Sequence, residues 1–224
     1  MNIETRYLVE GSKEAEGLVV IIDVLRACTT IPILFKQGAR KIIPVLTPED
    51  ALEYGKLGYV LVGEGEHGHK HDAFHHINSP SEVYKENFSG KDIVLRSNNA
   101  TQAILSAGKA KEIILASFVN LGAVVGYIKE TNPKTVTLVA LGRLGQKGLE
   151  DDLCADAIKN SLEGKAFDFG EMKKKIKKCD CAILVSKVLK KPEDVKFSLE
   201  LNSYPIVPEV INYSGVKTIV PVNN

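Results

Sequence analysis

Apolar residues along the chain come as short blocks rich in Val and Ile, at positions 18–22, 41–46, 59–62, 92–95, 112–115 and 135–139. Each block has strand length. Each is continuous, not alternating, which predicts strands buried on both faces of a parallel sheet. Segments of helix length separate most of them. Residues 27–37 read as a buried helix closed by Gly38. Thr47-Pro48-Glu49-Asp50 is a helix start, with a Thr cap, Pro in the first turn and acids near the positive end. Ser79-Pro80-Ser81-Glu82 repeats that logic with capping-box spacing. Helices are also predicted over 99–107, 120–129 and 149–162.

The last part of the chain changes character. Residues 171–178 are lysine-rich and read as a solvated helix face, and 181–189 as a further helix. Residues 195–201, 205–207 and 216–221 read as short strands without intervening helices, forming an antiparallel edge or a small second sheet. The expected fold is therefore α/β: a layered, mostly parallel sheet flanked by helices, with short antiparallel C-terminal strands. No linker rich in Gly, Ser or Pro interrupts the sequence. Residues 1–224 are expected to form a single α/β domain, with 165–224 a C-terminal sub-structure.

Composition narrows the function classes. The chain has 224 residues, enough for one large well-cored α/β domain or for two small ones. Its net charge of +1 favours neither a nucleic-acid binder nor a membrane-surface protein. No apolar run reaches membrane-spanning length, and the N-terminus, with Glu4, Arg6 and Glu10, is too polar for a signal-peptide core; a cytoplasmic location is the expectation. The spacing of Cys28, Cys154, Cys179 and Cys181 matches no zinc framework, and Cys28 and Cys154 read as small buried residues.

Ligands of open α/β sheets bind beyond the carboxyl ends of the strands. Here those ends carry Asp23 and Arg26, Glu64, then Ser97-Asn98-Asn99-Ala100-Thr101, Ser117, Arg143, and Glu150-Asp151-Asp152. Gathered carboxylates repel one another unless they hold a cation, and hard oxygen ligands suit Mg²⁺. Arg26 and Arg143 can grip a phosphate in bidentate fashion. Thr29, Thr30, Asn98, Asn99 and Thr101 fall near helix N-termini, which favour anions. A cation with arginine clamps is what phosphoryl transfer requires. Blander readings stand beside these. Asp23 and Arg26 can form a structural ion pair, 98–101 can be a simple helix cap, and Glu150 with Asp151 can merely complement a helix dipole. The D-x-D nucleophile motif, the cysteine-phosphatase loop, the P-loop and G-x-G-x-x-G are all absent from the sequence.

The same residues carry a family resemblance. Ile22-Asp23-Val24-Leu25-Arg26-Ala27-Cys28-Thr29-Thr30 resembles the I-D-V-L-R-A-T-T-T segment of 2-phosphosulfolactate phosphatases. Gly63-Glu64, Asn78-Ser79-Pro80 with Glu82, Asn99-Ala100-Thr101, and Leu149-Glu150-Asp151-Asp152-Leu153-Cys154-Ala155 are similar to further family segments, in the same order. The resemblance implies a Mg²⁺-dependent phosphoric monoester hydrolase of coenzyme M biosynthesis, acting on 2-phospho-3-sulfolactate or a related small phosphorylated acid, and expected as a homo-oligomer. On that implication Asp23, Glu64, Glu150 and Asp151 are metal-site candidates, and Asp23, Arg26, Asn99 and Glu150 are catalytic candidates. Arg26, Thr29, Thr30, Asn98, Asn99, Thr101 and Arg143 are substrate-binding candidates. The sequence differs from the family pattern at His75, Ile77, Ala100 and Gln102. Two other readings follow from those differences: a non-catalytic or regulatory anion-binding protein on the same scaffold, and an enzyme with the same metal site but another anionic substrate.

All five histidines, His67, His69, His71, His75 and His76, lie in one loop. The loop reads as a solvated insertion beside the site, as a source of imidazoles for anion or acid/base work, or as a transition-metal site.

Overall fold

Each of the six apolar blocks is a strand in the computed structural model, which describes residues 1–65 and 68–222. They are β2 (Gly17–Ile22), β3 (Lys41–Val45), β4 (Val60–Gly63), β5 (Asp92–Arg96), β6 (Ala110–Ala116) and β7 (Thr135–Ala140). An N-terminal strand, β1 (Asn2–Tyr7), is added at one edge against β7. It is polar and only partly buried, as an edge strand is, so no apolar block marks it. The short helix α1 (Leu8–Lys13) follows it.

β1, β7, β2 and β6 form one parallel group, and β3, β5 and β4 form another. The C-terminal hairpin β8 (Pro208–Tyr213) and β9 (Val216–Pro221) lies between them, giving the order β1-β7-β2-β6-β8-β9-β3-β5-β4. The expected edge or second sheet is thus corrected. The hairpin is the central seam of one nine-stranded sheet, and residues 208–221 do not form a separate layer. Ladder pairing at the seam is minimal, Ile114 with Glu209 on one side and Ile42 with Ile219 on the other.

Three consecutive antiparallel pairings reverse direction three times, so the two parallel groups run oppositely within the sheet. In a flat sheet their carboxyl ends would lie on opposite edges. Direct bonds between those ends, described below, require the sheet to curl at the seam. The main core cluster shows what it curls around. It joins Val19, Ile21 and Leu115 of the first group to Ile42, Ile93 and Leu95 of the second through α2 (Ala27–Lys36) and α5 (Ala100–Ser106). Nine of the ten residues of α2 are buried, consistent with a helix enclosed on all sides.

A second cluster covers the outer face of the first group. It includes α6 (Leu121–Thr131), α7 (Leu149–Leu162), α8 (Phe169–Ile176) and α9 (Asp180–Ile183), the last running into a π turn over Leu184–Val188. The outer face of the second group is covered by α3 (Pro48–Lys56), capped by Thr47 and Asp50 as expected. No helix among the described residues is long and apolar enough to cross a membrane.

Two local expectations are overturned. Residues 195–201 are not a strand: Pro192, Glu193 and Asp194 open the helix α10 (Pro192–Ser198), with Pro in its first turn and acids at its positive end. Nor are 205–207 a strand. Ser79 precedes α4 (Pro80–Val83) but makes no capping bond, because its hydroxyl is drawn to Asp194.

Candidate active site

Arg26 sits at the head of α2, buried, and links three parts of the chain. Its Nη1 lies 3.0 Å from Asp194 Oδ2 and its Nη2 3.2 Å from Glu64 Oε1, and Nη2 also donates to the Gly68 carbonyl at 3.1 Å. The ion pair considered for Asp23 and Arg26 is not formed; the guanidinium is held by the other two acids. Asp194 has no exposed surface and accepts also from the Ser79 hydroxyl (2.7 Å), the Ser81 hydroxyl (2.6 Å) and the Ser81 N–H (3.0 Å). With four donors aimed at it, this carboxylate is fully compensated.

Glu64 follows β4 and is bound on both oxygens. Asn78 Nδ2 donates to Oε1 at 2.9 Å and Asn98 Nδ2 to Oε2 at 2.8 Å. Arg96, at the end of β5, fixes the same corner by donating to the carbonyls of Glu64 (2.7 Å) and Gly65 (2.9 Å) and to Asn98 Oδ1 (2.9 Å). Asn99 donates to the Gly142 carbonyl at 2.9 Å, joining the β5 end to the β7 end.

Asp151, in the first turn of α7, is equally committed. Its two oxygens accept the Val24 and Gly142 main-chain N–H groups, each at 2.8 Å, so it ties the β2 loop to the β7 loop. Burial, with Glu150 and Asp23 nearby, holds its carboxyl well above the usual carboxylate range, and the two N–H bonds oppose that change. Gly142 has φ +59°, and a Cβ there would lie 2.1 Å from the Gln146 carbonyl oxygen. Only glycine fits where this N–H must reach Asp151.

Asp23 differs from Glu64 and Asp194. No lysine or arginine within reach pairs with it among the described residues, and it is buried. Burial, then Glu64 and Glu150, push its carboxyl up to about 7, against the opposing pull of the Ala27 N–H and Arg26. Glu150 is buried too, and its Oε2 is met by the Cys179 thiol at 3.5 Å. Burial, together with Glu150, raises the thiols of Cys179 and Cys181, the former to about 11.

These groups border a cavity of about 230 Å³ lined by Asp23, Arg26, Glu64, Ser97 and the 98–99 amides on one side, with Arg143 at the loop after β7. Arg143 makes no ion pair among the described residues. A neighbouring cavity of about 490 Å³ shares Arg143 and adds Glu150 and Lys147. The structure therefore brings together Asp23, Arg26, Glu64, Asn98, Asn99, Arg143 and Glu150, with Asp151 just behind them.

It does not place the three threonines in the wall. Thr29 and Thr30 are fully buried, their hydroxyls donating to the Val24 and Arg26 carbonyls and both N–H groups to Arg26 O. Thr101 Oγ1 donates to the Ser97 carbonyl, and its N–H to Ser97 Oγ. The anion contacts expected of these residues have no free donor to make them. Cys28 and Cys154 are buried free thiols, as expected.

Among the described histidines none lines the cavity. His75 Nδ1 accepts the Leu61 N–H at 2.9 Å, His71 Nδ1 accepts the Ala73 N–H at 3.3 Å, and His76 packs edge-on against Phe88. His67 lies outside the described residues. No cluster of three or more His, Cys, Asp or Glu residues is arranged to hold a metal among the described residues. The donor set nonetheless fits Mg²⁺, which binds through one or two carboxylates, keeps several waters and completes its shell with phosphate oxygens. Asp23 and Glu150 make no ion pair with a lysine or arginine among the described residues, so both are carboxylate donors of the kind Mg²⁺ takes.

A curled α/β sheet with an acid-lined cavity where its strand ends converge defines the class. The 2-phosphosulpholactate phosphatase family model matches residues 4–212, and the chain belongs to this family. Proteins named "Probable 2-phosphosulfolactate phosphatase" are similar to it. That of Thermotoga maritima is 45% identical over 68% of this chain and 64% of its own length. That of Caldanaerobacter subterraneus subsp. tengcongensis is 32% identical over 93% of this chain and 94% of its own. That of Thermoplasma acidophilum is 33% identical over 86% of both. The chain thus matches slightly under two thirds of the length of its Thermotoga maritima relative.

Proposed function

We propose that this chain is a Mg²⁺-dependent phosphatase that hydrolyses a small phosphorylated acid, 2-phospho-3-sulfolactate or a related ester, to the 2-hydroxy acid and phosphate. The observation that carries this reading is Asp23: a buried carboxylate with no lysine or arginine partner among the described residues, at the wall of a cavity lined also by Arg143, which makes no ion pair among those residues. Family membership supports it.

Asp23 and Glu150 would hold the ion. When bound, Mg²⁺ neutralises phosphate charge and lowers the pKa of a coordinated water. The chain's own groups do the rest. Arg143 binds the ester's anionic oxygens with its planar fork. Ser97, whose Oγ already accepts from the Thr101 N–H, keeps its own hydroxyl proton for a ligand oxygen. Arg26 is paired with two carboxylates, so its role is to hold Glu64 and the head of α2 in place, with less charge left for the substrate. Asn98 and Asn99 lock the loop ends and border the ligand. Asp151 fixes the spacing between the Asp23 loop and the Arg143 loop. Four free thiols suit a reducing, cytoplasmic setting.

The test is phosphate release from 2-phosphosulfolactate and a panel of phosphorylated acids, with Mg²⁺ and with EDTA. Metal-dependent release that Asp23→Asn abolishes, in protein that keeps its circular dichroism spectrum, is the expected result. Normal turnover by that variant would refute the assignment.

A further inference from the structure

Charge is unevenly distributed along the chain. Residues 171–191 hold eight lysines against Glu171 and Asp180, a net charge of +6 in a chain whose net charge is +1, so the remaining residues sum to −5. Lys174 pairs with Glu171, Lys191 pairs with Glu82, and Lys173 donates to the Leu199 carbonyl. Lys175, Lys177, Lys178, Lys187 and Lys190 are exposed and make no ion pair among the described residues. Taken alone, such a run is a solvated helix face.

The same segment, however, walls the candidate active site. Cys181, Leu184 and Leu189 line the first cavity, and Cys179 lines the second. Lys178 and Lys190 are the chain neighbours of Cys179 and Leu189, so those Cα atoms are about 3.8 Å apart. Lys177 and Lys187 are two residues from the same pair. The screening length at physiological ionic strength is about 8 Å, so these charges still act within the cavities. Lys147 adds a cation to the lining of the second.

The opposite wall is acidic, with Asp23 and Glu64 on the first cavity and Glu150 on the second. Carboxylates that receive a cation also repel an approaching anion. Exposed lysines beside them reverse the sign of the field that a polyanion meets first. Charge of one sign placed at a cleft raises association rates about 10- to 1,000-fold.

We propose that the lysine bank of 171–191 is an electrostatic guide for the anionic ester, drawing it to the cavities without touching the reacting atoms. This rests on the phosphatase reading and adds the surface by which esters of higher negative charge are captured in preference to those of lower charge.

The experiment measures kcat/KM at saturating Mg²⁺ while NaCl is raised from low to well above physiological ionic strength. The esters are 2-phosphosulfolactate, with its phosphate, carboxylate and sulfonate, and p-nitrophenyl phosphate, with a phosphate alone. The unaltered protein is compared with a variant carrying Lys175→Gln, Lys177→Gln, Lys178→Gln, Lys187→Gln and Lys190→Gln together. At low salt the variant is expected to lose about tenfold in kcat/KM for phosphosulfolactate, through KM with kcat unchanged, and less for p-nitrophenyl phosphate. The two proteins are expected to converge as salt rises, with equal melting temperatures. Should the fivefold variant not fold, Lys177→Gln with Lys178→Gln is expected to show the same pattern at smaller size. A loss that persists at high salt, or a lowered kcat, would mean that the lysines act by contact or through the fold, and would overturn the proposal. Equal kcat/KM of the two proteins at every ionic strength would also overturn it; tight binding of a DNA duplex in that case would assign the bank to a macromolecular polyanion. Release from neither ester would overturn the phosphatase reading, and the proposal with it.

Discussion

Arg26 Nη1 meets Asp194 Oδ2 at 3.0 Å, joining residues 168 positions apart in the chain. Through this contact the C-terminal helix α10 is wired to the head of α2, and through Arg26 to Glu64. Removing Asp194 leaves a buried guanidinium half paired and strands the hydroxyls of Ser79 and Ser81. Breaking one side of a buried pair typically costs about 3–5 kcal/mol. Asp194→Ala is therefore expected to lower unfolding free energy by that order in urea titrations. Asp194→Asn should lose less, because an amide oxygen still accepts from the two serines. Equal stability of all three proteins would show that the network is not cooperative.

Asp23 predicts a pH dependence for the metal-free protein. Its carboxyl keeps a proton up to about pH 7 when folded, against an ordinary value of 3.8 when unfolded. Between those values the native state binds more protons, so this group makes stability fall as pH rises, and the loss is complete above 7. Asp23→Asn removes the penalty. The stability of the variant minus that of the unaltered protein, measured in EDTA, should grow from pH 4 to pH 7 and then level off. A tenfold change in proton affinity is worth about 1.4 kcal/mol, which sets the scale as a few kcal/mol at most. Mg²⁺ added at pH 8 should narrow the gap. A difference flat across pH would mean that Asp23 is not the strained acid of the site.

Gly142 tests the loop that carries Arg143. With φ +59° and the Gln146 carbonyl against any Cβ, alanine there forces the backbone to move. The Gly142 N–H would then leave Asp151, whose buried oxygen loses a donor, a loss of about 1–3 kcal/mol. Gly142→Ala is expected to lower the melting temperature and to slow phosphate release, whereas Gly126→Ala, on α6 with open space around it and no positive φ, should leave both largely intact. Equal behaviour of the two variants would count against the cradle.

Much of the fold was legible because its strands are buried on both faces and therefore read as unbroken apolar blocks. β1 escaped because an edge strand needs no such block. The 195–201 segment misled because Val195, Phe197 and Leu199 alternate like a strand. In the structure, however, Pro192 and two acids start a helix that the second core cluster covers. The placement of β8 and β9 in the centre of the sheet depends on long-range pairing through single contacts, which leaves no local signature.

The site was legible as a set of strand-end polar residues but not in its division of labour. Arg26 and Arg143 look alike in sequence, and only the partners Glu64 and Asp194 distinguish them. Asp194 itself reads as one more acid at a helix start. Thr29, Thr30 and Thr101 resemble anion contacts until their hydroxyls are seen bonded to carbonyls one turn back.

That division of labour gives the sharpest contrast to measure. Arg143 lines both cavities and makes no ion pair among the described residues, so its guanidinium is open to a substrate oxyanion there. Losing a charge-assisted hydrogen bond costs about 1.5–3 kcal/mol, or roughly ten- to a hundredfold in affinity. Arg143→Ala should raise KM on that scale with the melting temperature nearly unchanged. Arg143→Lys should restore part of the loss, since a point charge replaces the fork without its bidentate geometry. Arg26→Ala should do the reverse, and first of all destabilise the protein, because it leaves Glu64 and Asp194 buried without their cation. Kinetics and thermal melts of the three variants side by side decide the matter. If Arg143→Ala left KM unchanged while Arg26→Ala raised it in a stable protein, the two arginines would have to exchange roles.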